Sequence, residues 1–411
     1  MAFVEPVGRG RDACAATLTF DAAQAILAAH ATPLGVETVP LAKAGRRVLA
    51  EAIYARIDSP RYDAAAMDGF AVREHDLRAG LRQFRVVGSS YPALPWAEQL
   101  GPGETVRIMT GAAVPKGADR VVVRELVRGT PDGIELHGEL STRRHIRARG
   151  SDMAKGDLVL AAGRTLDPRA LLVAAAADVG SVQVRRRPRV RLLTSGDELV
   201  APGLAADTPH QLPDSLSEAI LLMTRQYGGI PLGSRRVRDV LTDIEVAAAA
   251  ALGDCDVLVM AGGASNGDRD FAKHGLMPLG LELCFADVAI KPGKPVWYGR
   301  IGNRHVLGLP GNPTAAMTIA RLFLAPLLCA LGGGRFATGL KWTQMPLLTT
   351  MAEIGSRETF LCAELDGRGV HIIERQSASA QWTLARANAL VRGPAGHPAL
   401  VAGDIVSMLG F

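Results

Sequence analysis

The sequence predicts a multidomain α/β protein with a β-rich insertion, a mostly parallel α/β domain and a C-terminal β domain. Three observations support this fold class. Residues 47–146 contain short strand-like segments separated by Gly and Pro. Predicted strands alternate with predicted helices over 183–332. Residues 337–411 again contain strand-like segments, here interrupted by Thr and Gly. The length of 411 residues accommodates several domains, each with its own core.

Helical segments flank the insertion and predict a separate helical and linker domain from residues 15–46 plus 147–182. Residues 20–31 read as a helix with Asp21 near its N-cap, and residues 168–179 as a second helix entered by Asp167-Pro168. Between them, runs such as QFRVVG, TVRIMTG and DRVVVRELV favour strands. The insertion at 47–146 is therefore predicted to be β-rich.

The α/β domain predicted over 183–332 contains apolar strands that end in small polar loops. Residues 190–193 and 256–260 have strand length, and they are followed by TSGDE and AGGASNG; residues 215–227 read as a helix. In parallel sheets, ligands bind outside the carboxyl ends of the strands. We therefore expect these loops to gather at one edge of the sheet with the later PGNP loop.

Residues 288–313, VAIKPGKPVWYGRIGNRHVLGLPGNP, place two Pro/Gly turns around a short hairpin. Lys291 and Lys294 lie on a backbone restricted by prolines, and Gly302-Asn303 is a hairpin signal. Asn312 reads as an N-cap and Pro313 as the first helical residue, a pattern that leaves N–H groups for an anion. The pattern favours a phosphorylated ligand, and simple connecting turns are the alternative.

Composition narrows the functional classes. Five scattered cysteines show no metal-ligand or disulfide spacing, which favours a reducing compartment, and no charge-free apolar run approaches the roughly 20 residues of a membrane span. The net charge of +5 is mild, and the basic run at 185–189 lacks interleaved aromatics. We expect a cytoplasmic protein that binds neither nucleic acid nor membrane. Neither a dinucleotide fingerprint nor a Walker loop occurs in the sequence.

Six motifs along the chain resemble those of the molybdopterin molybdenumtransferase (MoeA) family, whose relatives include the E domain of gephyrin. The motifs are AMDGFAV (66–72), RIMTGAAVPKGADRVVV (107–123), RARGSDMAKGDLVL (147–160), LLTSGDELV (192–200), KPGKP (291–295) and GLPGNP (308–313). The resemblance implies an elongated four-domain subunit that forms a homodimer, with a three-layer α/β domain and a C-terminal β-barrel-like domain. Each active site is then expected between the α/β domain of one subunit and the β-rich domain of the other.

The family reaction inserts molybdate into adenylated molybdopterin, releases AMP and forms molybdenum cofactor with Mg²⁺. By resemblance, the catalytic residues are Asp68, Asp152, Glu198 and Asp270, and Glu198 and Asp270 also bind the metal. By the same resemblance and by the turn chemistry, substrate contacts come from Thr110, Gly111, Ser195, Gly196, Asp214, Ser215, Asp239, Gly262, Gly263, Ser265, Lys291, Lys294, Pro310, Gly311, Asn312 and Pro313. A molybdopterin adenylyltransferase and molybdoenzyme maturation proteins are the implied partners.

Structural alternatives stay open for several of these residues. Asp68 could stabilise its own turn, Asp197 could be a carboxylate at a helix N-terminus, and Asp268 or Asp270 could cap a helix. Ser215 and Glu218 fit an S-x-x-E capping box.

Three departures from the family pattern keep a second function open. Leu216 replaces the usual Asn, Ala261 begins an altered glycine loop, and Asp287 stands where relatives carry a basic residue. A charge about 4 Å from a phosphate would contribute on the order of 4 kcal/mol at an effective dielectric of 20. The alternative function is a catalytically weakened paralogue that acts as a molybdopterin-binding carrier or scaffold.

Overall fold

The computed structural model describes residues 18–262 and 271–411, and the chain forms two compact units. One unit contains the described residues up to Glu37 together with Arg185–Phe411, and the other contains Thr38–Val184. Each unit has its own buried apolar clusters.

The first helix, α1 (Phe20–His30), begins where the hydroxyl of Thr19 accepts a hydrogen bond from the Ala22 N–H at 3.3 Å. Its buried Phe20 packs edge-on against Phe323 and Phe360, with ring centroids 5.8 and 4.9 Å away. Both partners belong to the 185–411 unit. The predicted grouping of residues 15–46 with 147–182 is therefore wrong for this helix, because its apolar face finds its partners in the other unit.

The Thr38–Val184 unit is built mainly from strands, as predicted for the insertion. Its strands are β1 (Val36–Pro40), β2 (Ile53–Tyr54), β3 (Ala64–Ala65), β4 (Gly69–Val72), β5 (Gln83–Ser90), β6 (Glu104–Ile108), β7 (Arg120–Val123), β8 (Val127–Thr130), β9 (Gly133–Leu136), β10 (Ile146–Arg147), β11 (Leu158–Leu160) and β12 (Ser181–Arg185). Six of them form one sheet in the order β7-β4-β6-β5-β9-β8. The helices are α2 (Glu74–Arg78) and α3 (Pro168–Ala176), and Asp167 caps α3 by accepting the Ala170 N–H at 2.8 Å, as the Asp167-Pro168 signal predicts.

The other unit contains the predicted parallel sheet. Its strands up to residue 309 are β13 (Arg189–Ser195), β14 (Leu199–Val200), β15 (Leu212–Pro213), β16 (Ile230–Val237), β17 (Val257–Ala261), β18 (Glu282–Ala286), β19 (Ile290–Lys291), β20 (Trp297–Ile301) and β21 (Arg304–Leu309). The sheet order is β16-β13-β17-β21-β20-β18; the first four strands are parallel, and β20 and β21 form the predicted hairpin. The helices are α4 (Ser217–Gln226), α5 (Leu241–Leu252), α6 (Phe271–Leu276), α7 (Pro313–Ile319) and α8 (Ala325–Leu331).

Helices α7 and α8 join through a π-helical turn, Ala320–Leu324, into one helical stretch from Pro313 to Leu331. This stretch is apolar and long enough to cross a membrane by length and composition, and 89% of it is buried in the protein. It is surrounded by the same core that covers the parallel sheet. We therefore assign it as a core helix.

The C-terminal region continues with β22 (Thr343–Pro346), β23 (Glu358–Leu365), β24 (Val370–Ile372), α9 (Gln381–Arg386), β25 (Ala389–Gly393) and β26 (Ile405–Gly410). Its sheet has the order β19-β23-β25-β26-β22, with β24 paired to β23. Residues 290–291 therefore belong to this sheet, although they lie far from it in the sequence: Lys291 pairs with Thr359, 68 positions later. This pairing places residues 291–295, which we call the lysine turn, beside the C-terminal β domain.

The basic run at 185–189 forms ion pairs at the amino-terminal edge of the parallel sheet. Arg186 donates two hydrogen bonds, of 2.9 and 2.8 Å, to the carboxylate of buried Asp256. The Arg189 N–H donates to the same carboxylate at 2.8 Å. These bonds explain the run as a structural feature, because a buried carboxylate requires such partners.

Candidate functional site

The loops after the parallel strands meet at one edge of the sheet. Ser195 ends β13 opposite Val237 of β16, Thr194 is opposite Ala261 of β17, and Ala261 is opposite Leu309 of β21. Predicted site residues follow directly at each of these ends. We call the set Ser195–Gly196, Asp239, Gly262 and Pro310–Gly311 the strand-end cradle.

Close backbone contacts fix the shape of the strand-end cradle. Gly262 has φ +89°, and a Cβ atom there would lie 2.3 Å from the Ser195 carbonyl oxygen. A Cβ atom on Gly311 would lie 3.7 Å from the Gly262 Cα. Glycine at 262 is therefore required by both conformation and space, and Gly262 is buried, whereas Gly311 next to it is exposed.

A small hydrogen-bond network joins two loops of the strand-end cradle. The Ser195 hydroxyl donates to the carboxylate of Asp239, and the Asp239 N–H donates to Asp197 Oδ1 at 3.1 Å. Asp197 lies within a turn closed by the Leu199 N–H and the Gly196 carbonyl, and no helix begins there, so the alternative of a helix N-terminal carboxylate is wrong. Asp197 instead orients the loop that carries Asp239.

Asp214 caps helix α4. Its Oδ1 accepts the N–H groups of Leu216 and Ser217 at 3.2 and 3.1 Å, and its Oδ2 accepts the Ser217 hydroxyl at 2.6 Å. The predicted capping box between Ser215 and Glu218 is wrong, since the helix begins two residues later and Asp214 supplies the cap. Ser215 is exposed, and its hydroxyl is available to a ligand.

This cap predicts unequal effects for neighbouring substitutions. Asp214→Ala should lower the free energy of unfolding by about 1–2 kcal/mol, because two N–H groups and the hydroxyls of Ser217 and Thr194 lose their acceptor. Ser215→Ala should change it by less than about 0.5 kcal/mol. Urea denaturation of both variants measures the difference; equal losses would contradict the assignment of Asp214 as the cap.

The lysine turn packs against the strand-end cradle. A Cβ atom on Gly293, which has φ +99°, would lie 2.4 Å from Ile319 of α7 and 3.8 Å from Pro310. Lys291 and Lys294 on either side of this glycine are exposed, and neither forms an ion pair with a described residue. The turn therefore presents two uncommitted cations next to the cradle.

Asn312 and Pro313 begin helix α7 as predicted, but not all of its first N–H groups are available. The Asn312 side chain makes no capping bond, while the Ala315 N–H donates to the Ala378 carbonyl at 3.3 Å. The segment around Ala378 thus covers part of the helix start. The prediction that the first N–H groups of α7 are free to bind an anion is therefore wrong for the Ala315 N–H.

Asp287 follows β18 in the left-handed region, with φ +55°, and its N–H donates to the Val296 carbonyl at 3.1 Å. Asp and Asn tolerate this conformation better than lysine does. The departure from the family pattern therefore has a backbone explanation. The Asp287 side chain is half-buried and contacts no described cation through an ion pair.

A cleft of about 900 Å³ opens from the lysine turn toward the C-terminal sheet. Lys291 lines it together with Arg357, Glu353 and Glu374. Sequence reasoning missed Arg357, because only the parallel pairing of β19 with β23 brings it beside Lys291. The volume lies in the range typical of small-molecule sites.

Asp68 and Thr110 come together in the Thr38–Val184 unit. Asp68 precedes β4 and Thr110 follows β6, and these strands are antiparallel with Gly69 opposite Ile108. The Thr110 N–H and hydroxyl both donate to Asp68 Oδ1 at 2.7 Å. These two bonds, aided by the charges of Arg124 and Arg107, lower the pKa of Asp68. Gly111 continues this turn with φ +83°.

Thr110→Val should raise the pKa of Asp68 toward its ordinary value, because the hydroxyl bond is lost while the N–H bond remains. The stabilisation from this lowered pKa is present above the ordinary carboxyl range and is lost as pH falls through the lowered value. Carboxyl-carbon chemical shifts across a pH titration measure it. Asp58, whose pKa is lowered by the Lys155 N–H and by Arg149, is the internal control. An unchanged Asp68 titration would contradict the assignment.

Asp152 lies elsewhere in the same unit. Its Oδ2 accepts the Ser59 hydroxyl at 3.3 Å and its N–H donates to the Ser59 carbonyl at 2.9 Å. The exposed carboxylate forms no hydrogen bond with Asp68 or Thr110 and no ion pair with a described residue. The described contacts therefore do not join Asp152 to the Asp68–Thr110 pair.

Glu198 is exposed at the carboxyl edge of the parallel sheet, and its side chain accepts no hydrogen bond from a described residue. Gly263, Ser265 and Asp270 lie outside the described residues. Within 18–262 and 271–411, no three His, Cys, Asp or Glu side chains form a metal-binding group. The exposed Glu198 carboxylate is nevertheless a suitable ligand for Mg²⁺, because this ion keeps several waters and binds one or two carboxylates.

The loops after the parallel strands form a cradle at the carboxyl edge of the sheet, which is where α/β sheets of this kind bind ligands, and two exposed lysines lie beside it. Two family profiles match the chain: "MoeA N-terminal region (domain I and II)" over residues 18–179 and "Probable molybdopterin binding domain" over residues 191–330. The chain belongs to the molybdopterin molybdenumtransferase family of molybdenum cofactor biosynthesis.

Curated relatives and solved structures support this membership. The chain is 33% identical over 346 residues to a molybdopterin molybdenumtransferase of Haemophilus influenzae, which covers 84% of this chain and 83% of the relative. It is 32% identical over 410 residues to that of Synechococcus elongatus, with 95% and 99% covered. A crystal structure of a molybdopterin biosynthesis MoeA protein from Pyrococcus horikoshii superimposes with a TM-score of 0.81 at 29% identity, covering 96% and 99%. The resemblance noted in the sequence is confirmed.

Proposed function

We propose that this protein inserts molybdate into adenylated molybdopterin, releasing AMP and forming molybdenum cofactor. The observation that carries the proposal is the pair of exposed lysines, Lys291 and Lys294, held by the turn that packs on Pro310 beside the strand-end cradle. A pyrophosphate linkage needs cations and main-chain donors at a fixed spacing. The two lysines supply the cations at this edge of the sheet, and the exposed Gly311 follows Pro310.

Each group has a role in this reaction. Lys291 and Lys294 bind the phosphates, the exposed main chain at Gly311 lets them approach, and Asp239 is held by the Ser195 hydroxyl for ligand contact. Glu198 and Asp270 would hold Mg²⁺, which would neutralise charge that develops on the leaving phosphate oxygen. Asp68 stays ionised because Thr110 lowers its pKa, and it supplies a further carboxylate.

The competing function is a carrier or scaffold that binds the same ligand with weakened catalysis. Its support is the departures at Leu216, Ala261 and Asp287. Release of AMP from adenylated molybdopterin, with molybdate, with tungstate and without either, separates the two. An enzyme releases AMP only with the oxyanion; a carrier binds the ligand and leaves it intact.

We also propose a cytoplasmic homodimer in which the Asp68 carboxylate of one subunit serves the site of the other, as the family resemblance implies. Mixing Asp68→Asn subunits with Glu198→Gln subunits should then restore activity in heterodimers, since each heterodimer has one intact site. Absence of recovery, or a monomer at micromolar concentration by light scattering, would contradict it. A molybdopterin adenylyltransferase and molybdoenzyme maturation proteins are the proposed partners.

The Asp287→Asn variant tests the role of the Asp287 charge, and the Asp287→Lys variant alone does not. Asparagine keeps the tolerance for φ +55° and removes the charge, whereas lysine adds both strain and a positive charge. If Asp287 repels the phosphates, Asp287→Asn should tighten binding of adenylated molybdopterin several-fold at low salt. Unchanged affinity would assign Asp287 to the turn only.

A further inference from the structure

Trp382 is the most exposed large apolar side chain among the described residues, at 79%. It is the second residue of helix α9, and no core cluster includes it. The other tryptophans differ: Trp297 is completely buried, and Trp96 and Trp342 are half-buried. An indole this exposed contributes little to folding, so its position calls for another explanation.

A groove of about 650 Å³ lies beside this indole. Its lining includes Trp382, Arg375, Arg386 and the apolar Ile372 and Ile373. It also shares residues with the cleft that begins at Lys291; the shared residues are Thr349, Ile372, Ile373 and Glu374. The two cavities are therefore neighbours, with a common wall formed by β24 and the residues after it.

The segment that carries Trp382 is also attached to the strand-end cradle. The Ala378 carbonyl accepts the N–H of Ala315 in the first turn of α7, at 3.3 Å, and α9 packs on α7. Helix α7 follows the Pro310–Gly311 loop directly. The position of Trp382 is thus coupled to the loop that we assign to phosphate binding.

The groove places charged groups of both signs beside the aromatic face: the guanidinium groups of Arg375 and Arg386 line it together with the carboxylates of Glu364, Asp366 and Glu374. Arg386 pairs with Glu364 at 2.9 Å, whereas Arg375 is exposed and forms no ion pair with a described residue. Aromatic faces next to guanidinium groups bind planar heteroaromatic rings that carry phosphates. Protein-docking surfaces also use tryptophan, but the lining residues shared with the Lys291 cleft favour a small phosphorylated ligand.

We infer that Trp382 is a specificity-determining residue, which stacks its indole on the heteroaromatic ring, adenine or pterin, of the ligand whose phosphates contact Lys291. This inference rests on the proposed function for the identity of the ligand. It assigns to the C-terminal β domain the recognition of a planar ring. The chemistry at the phosphates remains with the strand-end cradle.

Tryptophan fluorescence tests the stacking directly. AMP and a pterin monophosphate are titrated separately into the full-length wild type, Trp382→Phe and the control Trp342→Phe. One fragment should quench the red-edge emission and protect it from acrylamide in wild type and Trp342→Phe, but not in Trp382→Phe. The fragment that does so identifies the ring. If neither fragment affects the Trp382 emission, the inference is overturned.

Turnover gives an independent readout. Trp382→Ala should raise the KM for adenylated molybdopterin by about 5- to 100-fold and leave kcat nearly unchanged, while Trp382→Phe keeps most of the affinity. An unchanged KM in Trp382→Ala would overturn the inference while leaving the proposed function intact. If the wild type releases no AMP, the proposed function fails, and the fluorescence titration still decides whether Trp382 stacks on either fragment.

Discussion

Glu198→Gln is expected to lower the rate of molybdate-dependent AMP release by at least about 10²-fold, because it removes a charged ligand from the proposed metal position. The loss of stability should be small, since the side chain is exposed and accepts no hydrogen bond from a described residue. In the absence of metal, the variant should bind the anionic substrate more tightly than wild type, because one repelling charge is gone. Single-turnover AMP release and calorimetric binding measure the two effects.

Glu218→Gln is the matched control. Glu218 is an exposed glutamate on helix α4 of the same unit, and the structure assigns it no role in a cap or in the site. Its variant should release AMP at the wild-type rate. Equal rates for wild type and Glu198→Gln, or unfolding of Glu198→Gln, would favour a purely structural role for Glu198.

Gly262→Ala is expected to damage both stability and ligand binding. The new Cβ atom would lie 2.3 Å from the Ser195 carbonyl oxygen at φ +89°, so the backbone must shift. The left-handed conformation alone costs about 1–3 kcal/mol for a non-glycine residue, and the clash adds to it. Thermal unfolding should shift to lower temperature, and the affinity for adenylated molybdopterin should fall.

Gly203→Ala separates these two causes. Gly203 has φ +93°, and a Cβ atom there would meet nothing within 4 Å. Its variant should show only the conformational cost and should keep wild-type affinity. If both alanine variants lose the same stability and neither loses affinity, close packing at the strand-end cradle is not what selects glycine at 262.

Local signals in the sequence predicted the site elements that depend on short-range chemistry. The hairpin at Gly302-Asn303, the helix start at Pro313 and the loops after the parallel strands all occur as predicted. Each follows from a turn preference or a strand period that neighbouring residues determine. For this reason the position of the cradle loops could be predicted from local signals, whereas Asp239 was assigned only from the family resemblance.

The features that the sequence did not predict depend on contacts between distant residues or on competition between neighbouring hydrogen-bond acceptors. Arg357 reaches the Lys291 cleft through the pairing of β19 with β23, and α1 packs on Phe323 and Phe360; neither contact leaves a local signal. At helix α4, two acceptors compete for the same N–H groups, and Asp214 is selected over Ser215 because the helix begins at Ser217.

The central claim is that the phosphates of adenylated molybdopterin bind at the strand-end cradle through Lys291 and Lys294. The most direct measurement is the affinity of wild type, Lys291→Met and Lys294→Met for this ligand across a series of salt concentrations. We predict that each variant binds about tenfold more weakly at low salt and shows a shallower salt dependence, because one cation no longer contacts the phosphates. Lys341→Met, a change at an exposed lysine outside the site, should bind as wild type does. Equal affinities and equal salt slopes for all four proteins would contradict the claim.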